Sequence, residues 1–392
     1  MKTSLSIETL FERAQQYKTQ ALDLVAPMSQ IDVTQDATGL QIGDHVGSMT
    51  DHAFAQLCRA LGVPAPYAIR CRDSEFEYLS PVTGHFEVQP RAPMIAEHLN
   101  SWLHHPEQDA NKLVRGMQWD SATIASTITW RALLSDRYAA LDGIDALQAA
   151  MVVCNSLKHK YGAPVLSSGD VTPDRMFAKI TFPGMQREIK SRRVGDVVQW
   201  GLMIENNDIG LGKTRARGFA DFLWCTNGCV STRTLVDANG MPLEFERRHV
   251  GSKLRLEADA GIQWGDETRA AARDLQLSTL RDTISHILHP DTFEAEVRVF
   301  ENAAANEVRV SDGEKSIKKL AKDNLLSDEE SKQILHAFLS DNDPSQYGLG
   351  QAICSDRVAR TLAYDRATKF EHLAYNVIAM PARELNSLAL AA

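Results

Sequence analysis

The chain is poor in cysteine, has no long apolar run, and contains neither an internal repeat nor a low-complexity tract. Its six cysteines (Cys58, Cys71, Cys154, Cys225, Cys229 and Cys354) are scattered over 392 residues. So few, so spread, exclude a disulfide framework and fit reduced thiols. No apolar stretch approaches the roughly 18 residues of a membrane-crossing helix. The opening segment, MKTSLSIETLFERAQQ, lacks the unbroken apolar core of a secretory leader. A cytoplasmic protein with no membrane partner is therefore expected. No Ser/His/Asp, Cys/His or metal-ligand spacing is present, so no catalytic residue, cofactor or metal is expected. The Cys225-Thr-Asn-Gly-Cys229 element lacks the second Cys/His pair that structural zinc needs.

What is present is an ordinary globular composition, 44% hydrophobic and 24% charged, in a chain long enough for a sizeable core. The net charge of −9 is unevenly placed: residues 112–256 hold 20 Lys and Arg against 14 Asp and Glu, while the flanks are acidic. A basic middle suits an anionic partner, or it faces the acidic flanks.

The patterning divides the chain into three. Residues 1–110 read as a helical, α/β region, with an amphipathic helix over 6–26 capped by Ser6. Further helices are expected from Thr50 to Gly62 and over 93–104, with short strands at 40–43 and 67–71. Residues 111–256 read as β-rich and basic. Strands are expected at 123–134, 176–182, 197–205, 217–225 and 229–236, separated by turn residues such as Pro183-Gly184, Gly195-Asp196 and Asn227-Gly228. One helix, about 142–159, interrupts them. Residues 257–392 read as an acidic helical region, in which Ser327-x-x-Glu330 is a capping box. The fold class is α+β: a central antiparallel sheet with an N-terminal α/β region and a helical C-terminal region.

The densest chemistry lies between Ile204 and Val230, IENNDIGLGKTRARGFADFLWCTNGCV. Asn207-Asp-Ile-Gly-Leu-Gly-Lys213-Thr214 approximates a phosphate-binding loop, with Asn207 where the first glycine belongs. The residues after Thr214 make a poor helix start, and a phosphate cradle needs a helix N-terminus. The plainer reading is a strand connection. In it Asn206, Asp208, Gly210, Asn227 and Gly228 are structural: glycines at positive φ, and Asp208 accepting from backbone N–H groups. Cations form three clusters: Arg187, Lys190, Arg192 and Arg193; Lys213, Arg215 and Arg217; Arg247, Arg248 and Lys253, with Arg255 beyond. The middle set alternates, so on a strand it projects from one face. With Phe182, Trp200, Phe219, Phe222 and Trp224 nearby for stacking, such a face suits single-stranded nucleic acid; each cluster alone also reads as a solvated surface. Asp196, Glu205, Asp208 and Asp221 read as counter-charges for these arginines.

Several elements, in order, resemble the phage/plasmid-like family of unknown function, domain-of-unknown-function family 932. They are Thr50-Asp-His-Ala-Phe-Ala-Gln-Leu-Cys58 with Gly62-Val-Pro64, Trp130 to Tyr138 (WRALLSDRY), Ile204 to Gly210, Cys225 to Gly228, and Gly348 to Ile353 through Tyr364 to Glu371. In the Ile204 to Gly210 element the family has serine and glutamate where this chain has Asn207 and Asp208. The resemblance implies a DNA-metabolism setting in a bacterial cell or phage-infected host, without naming an activity. Joined to the basic clusters, it leads to the expectation of a non-enzymatic protein that binds single-stranded DNA, assists replication or recombination, and is open to homo-oligomer formation. The alternatives are a divergent NTPase using Gly210 to Thr214, and an interaction protein acting through the acidic helices around Asp328-Glu-Glu330.

Overall fold

A computed structural model gives the architecture for residues 6–106, 110–119, 127–136, 138, 140–191, 195–223, 227–230, 245–248, 266–341, 343–355, 358 and 364–390. The first part of the chain runs α1 (Ile7–Thr19), β1 (Ala21–Pro27), β2 (Ile31–Val33), β3 (Gly39–Ile42), β4 (His45–Met49), α2 (Asp51–Ala60), α3 (Ala65–Arg72), β5 (Glu75–Leu79), β6 (Phe86–Pro90) and α4 (Ala92–Leu103). Then come β7 (Asn111–Trp119), β8 (Thr127–Ser135), α5 (Gly143–Tyr161), β9 (Val165–Val171), β10 (Met176–Glu188), β11 (Val197–Asn206), β12 (Lys213–Phe222), β13 (Asn227–Val230) and β14 (Phe245–Arg248). The rest is helical: α6 (Asp266–Ile287), α7 (Pro290–Ala305), α8 (Val310–Asn324), α9 (Asp328–Ser340), α10 (Gln346–Ile353), α11 (Tyr364–Ala379) and α12 (Ala382–Leu390). This is the α+β class expected. Among the described residues no helix is long and apolar enough to cross a membrane.

Two sheets organise these elements. The first is mixed, in the order β1-β7-β8-β4-β3-β2, with β4 and β8 parallel. The second is antiparallel, in the order β13-β12-β11-β10-β9, with β14 pairing the other end of β12. A hairpin of β5 and β6 forms a small sheet of its own. Sheet membership does not follow the boundary expected at 110/111, because β7 and β8 complete the first sheet.

Each sheet has its own core. Trp130, Phe54, Leu57, Ile31 and Leu40 fill the space between the first sheet and helices α2 and α4. A larger core lies under the second sheet, where alternate residues of its strands (Ala178, Ile180, Trp200, Leu202, Ile204, Ala216, Ala220, Phe222) turn to one face. Trp200 stacks on Phe293 of α7 at 6.1 Å, and its indole N–H donates to the Ile287 carbonyl at 2.9 Å. Phe222, Phe300, Tyr347 and Tyr375 continue this core edge-to-face, and the Tyr375 hydroxyl donates to the buried Glu296 at 2.5 Å.

Several sequence expectations are corrected here. The first helix does not reach residue 26: it ends at Thr19, and residues 21–27 leave to pair with β7, from Ala21 opposite Met117 to Pro27 opposite Asn111. Leu22 suits the helical stripe with Val25 and the alternating row with Leu24 alike, and tertiary pairing decides for the row. The strand expected at 67–71 is inside α3, entered through Pro64 and Pro66, which suit a first helical turn. Pro183-Gly184 is not a turn; β10 runs through it as an irregularity between Thr181 and Gln186. The Ser327 capping box does form, with Ser327 Oγ accepting from Glu330 N–H and Glu330 accepting from Ser327 N–H.

Gly201 marks the tightest point of the second sheet. A Cβ there would lie 2.0 Å from the Ile180 carbonyl oxygen and 2.8 Å from Thr181 Cα, both backbone atoms that cannot swing aside. Gly201→Ala is expected to lower stability by about 3 kcal/mol, the upper end of overpacking costs. Urea unfolding should show a reduced midpoint at unchanged slope; an unchanged midpoint would contradict the packing described.

Candidate nucleic-acid interface

The period-2 alternation that builds the second core also sends a different set of residues to the opposite face. In register across β10, β11 and β12 lie Lys179, Met203 and Arg217, and beside them Phe177, Glu205 and Arg215. Lys213 is two residues further along β12, so the alternating trio does share one face, as its spacing implied. Helix α11 adds Glu371 and His372. Lys179 pairs with Glu371, and its ammonium stands 5.1 Å from the Phe219 ring. Arg217 Nη1 lies 3.3 Å from His372 Nε2, and Arg215 sits 3.7 Å from the Glu205 carboxylate. Burial, with Arg217, Arg215 and Lys179 adding repulsion, lowers the His372 pKa to about 4. Burial raises the pKa of Glu371 against the pull of Lys179. Both shifts have the sense expected where carboxylates are desolvated and cations crowd.

Among the described residues, Arg187 and Lys190 of the first cluster do not share the face of Lys213, Arg215 and Arg217. The irregularity in β10 places Arg187 opposite Val198, which faces the core side, and Arg187 pairs there with Glu294 of α7. Lys190 reaches Glu301 of the same helix at 4.0 Å. Arg192, Arg193, Lys253 and Arg255 lie outside the described residues. Arg247 and Arg248 are in β14, their backbones opposite Thr214 and Lys213. The aromatics expected for stacking are corrected too: Phe182, Trp200 and Phe222 are fully buried in the core and Phe219 is 3% exposed, while Trp224 lies outside the described residues.

The loop from Asn207 to Gly212 connects β11 to β12 and also contacts the first sheet. It leads into a strand, β12, where a phosphate loop would lead into a helix. It also presents acceptors. Asp208 is clamped between two arginines of the first sheet: Arg131 Nη2 of β8 bonds both its carboxylate oxygens at 2.8 and 2.7 Å, and Arg115 Nη1 of β7 approaches at 3.0 Å. Arg115 also bonds Asp23 of β1 at 3.0 Å and Asp142, which precedes α5, at 2.9 Å. Burial acts to lower the Arg115 pKa, but Asp208, Asp23 and Asp142 outweigh it and hold the guanidinium charged. Lys18 of α1 and Arg273 of α6 meet on Asp145 of α5 and extend the network. Next to Asp208, the fully buried Ile209 packs with Leu113, Ala132 and Leu134. Its carbonyl accepts from His52 Nε2 and Gln56 Nε2, each at 3.0 Å. An anionic phosphate would meet a carboxylate and occupied carbonyls here, so the loop is a joint between the two sheets and no nucleotide cradle.

The turn residues are therefore structural, with two corrections. Gly210 has φ +78°, and a Cβ on it would sit 2.9 Å from Leu134 Cδ2. Asn206 bonds the Leu141 carbonyl and receives the Thr214 hydroxyl. Asp208, however, accepts from guanidinium groups where backbone N–H groups were expected. Asn227 and Gly228 belong to strand β13, opposite Phe222 and Asp221, and not to a turn. The four carboxylates also have separate partners: Glu205 takes Arg215, Asp208 the joint, Asp221 the Ser167 hydroxyl, and Asp196 the Ser191 and Tyr347 hydroxyls.

Sequence reading missed Lys179, Glu371 and His372 on the face, and Arg115 and Arg131 at the joint. The signal for three of them was a lone cation within an apolar strand (MFAKITF, KLVRGM, TITWRALL). A charge so placed must have a buried counter-ion. Set against known proteins, the chain matches no family model, no curated protein and no solved structure.

Removing the carboxylate of Asp208 would leave Arg131 buried without a counter-charge. Asp208→Ala is expected to cost roughly 3–5 kcal/mol in urea unfolding. Adding Arg131→Met should return a large part of that loss, since an uncharged side chain no longer needs the partner. A double variant as unstable as the single one would show that Arg131 is not the group left stranded.

Proposed function

We propose that this chain is a non-enzymatic, single-stranded DNA-binding protein of a phage or plasmid, accessory to replication or recombination and able to self-associate. One observation carries the reading: Arg215 and Arg217, with Lys213 beside them, line the non-core face of the second sheet together with His372, next to the buried ion pair of Lys179 and Glu371. Burial first, and then the nearness of Arg217, Arg215 and Lys179, lowers the His372 pKa, so these cations lie close enough to act together on one group. Alternate residues of a β-strand stand about 6.8 Å apart, so the cations of β12 form a short straight row along which a single strand can lie. Phe182, Trp200, Phe219 and Phe222 are buried, so in this reading the contact is chiefly with phosphates and therefore tolerant of sequence. The resemblance to the phage/plasmid-like family supports the DNA-metabolism setting.

Binding should fall with salt, because each neutralised phosphate releases counter-ions, with a slope of about 0.7 per contact on a single strand. Arg215→Ala with Arg217→Ala is expected to weaken binding to an unstructured oligodeoxynucleotide at least tenfold and to flatten the log–log salt slope by about 1.4, two contacts at that value. Fluorescence anisotropy from 50 to 300 mM salt measures both. A wild type that does not bind, or a double variant with an unchanged slope, would overturn the proposal.

The histidine gives a second test. A bound phosphate beside His372 favours its protonated form, so binding takes up a proton. Affinity should rise as pH falls from about 6.5 towards 4, the interval between the ordinary histidine value and the lowered one. His372→Gln should remove that rise and leave affinity at pH 7.5 close to wild type. A pH profile identical in the two proteins would place the bound anion elsewhere.

A further inference from the structure

The β5–β6 hairpin is a two-stranded sheet that projects four large apolar side chains into solvent: Leu79, Val82, Phe86 and Val88 are 59, 91, 75 and 57% exposed. A lone hairpin is marginally stable in water and needs further strands or a packed face. Its two edges differ. Ser80 N–H donates to the His85 carbonyl, which makes that couple a hydrogen-bonded pair. Alternation then makes Leu79–Phe86 a non-bonded pair, Tyr78–Glu87 a bonded one and Glu77–Val88 a non-bonded one. The N–H and C=O groups of Phe86 and Val88 thus point away from β5, to the outer edge of β6. On the outer edge of β5 the corresponding positions are Glu75, Glu77 and Leu79. Two exposed carboxylates guard β5, as charges guard natural edge strands. The edge of β6 has no such guard: its one acid, Glu87, is turned to the other face and held by the hydroxyls of Tyr78 at 2.8 Å and Thr83 at 2.6 Å.

We infer that the open edge of β6 is a self-association site, at which β6 of a second copy adds antiparallel to make a four-stranded sheet across a two-fold axis at Val88. The charge pattern selects both occupant and register. A two-fold at Val88 sets Phe86 against the partner's Pro90, aromatic on proline, and Val88 against the partner's Val88. It sets Glu87 opposite the partner's Gln89, an amide, so no like charges meet. A two-fold at Glu87 would oppose two carboxylates. At the Val88 register Val88 exchanges both backbone hydrogen bonds with its copy, and Phe86 N–H reaches the partner's Pro90 carbonyl. Pro90, which has no N–H, ends the ladder. The pairing is isologous, so it closes at two copies and does not propagate. This inference is independent of nucleic-acid binding.

The test follows from the outward direction of the Val88 N–H. Val88→Pro deletes a donor that the hairpin itself does not use, and so should leave the monomer folded. Light scattering on the full chain from about 2 to 200 µM is expected to show a monomer–dimer equilibrium. Val88→Pro and the fully surface change Phe86→Lys should each raise the dissociation constant at least tenfold, with unchanged circular dichroism and melting. Glu77→Lys, on the guarded edge, should leave it within twofold. A wild type that stays monomeric throughout, or a dimer that survives both β6 variants, overturns the inference. If Val88→Pro disturbs the fold, Phe86→Lys alone decides.

Discussion

The carboxylate of Asp208, gripped by Arg131 and Arg115, is the contact on which the arrangement of the two sheets depends. There a connection of the second sheet meets the first, with both arginines buried and the carboxylate largely removed from water. Charges in such a place contribute little net stability compared with apolar groups of the same shape, but they tolerate no mispairing. Arg115 has three carboxylates around it, from β1, from the start of α5 and from the 207–212 loop. Sliding either sheet by one residue would strand several charges together. The network therefore specifies the relative placement of the sheets more than it strengthens their contact.

That placement has a consequence for the opposite side of the second sheet. Strand β12 begins directly after the joint, so the loop that anchors Asp208 and Ile209 also sets the register in which Lys213, Arg215 and Arg217 emerge. One face of β12 closes the core through Ala216, Gly218, Ala220 and Phe222, and the other holds the cations. The two faces are the two parities of a single decapeptide, and neither can be altered by a register shift without loss of the other.

Much of this was legible in the sequence, for identifiable reasons. The Ser327 capping box and the helix opened by Thr50 are local signals, decided within four residues, and both stand. The one-face projection of Lys213, Arg215 and Arg217 needed only a strand and its period. What was not legible was long-range pairing. The span 21–27 became a strand because β7, some 90 residues later, offers it an edge. Asp208 read as a turn residue because its two arginines lie 77 and 93 residues away. The aromatics near the cations were adjacent in sequence, but strand parity turned most of them to the other side.

Helix α1 precedes the first sheet in the chain yet packs Leu10 and Ala14 into the core beneath the second, against α5 and β9. The strand that follows it, β1, belongs to the first sheet. The chain therefore visits the later core before it builds the earlier one. During synthesis, α1 emerges with no surface to cover until α5 and β9 have followed, roughly 150 residues afterwards. Folding in simple order from the N-terminus is thus closed to this topology: the first sheet can assemble early, but its leading helix must wait as a tethered, half-apolar segment. Closing that distance costs loop entropy before any packing offsets it, which sets the second core as the slow step and makes the chain ahead of β1 the part most in need of protection while it waits.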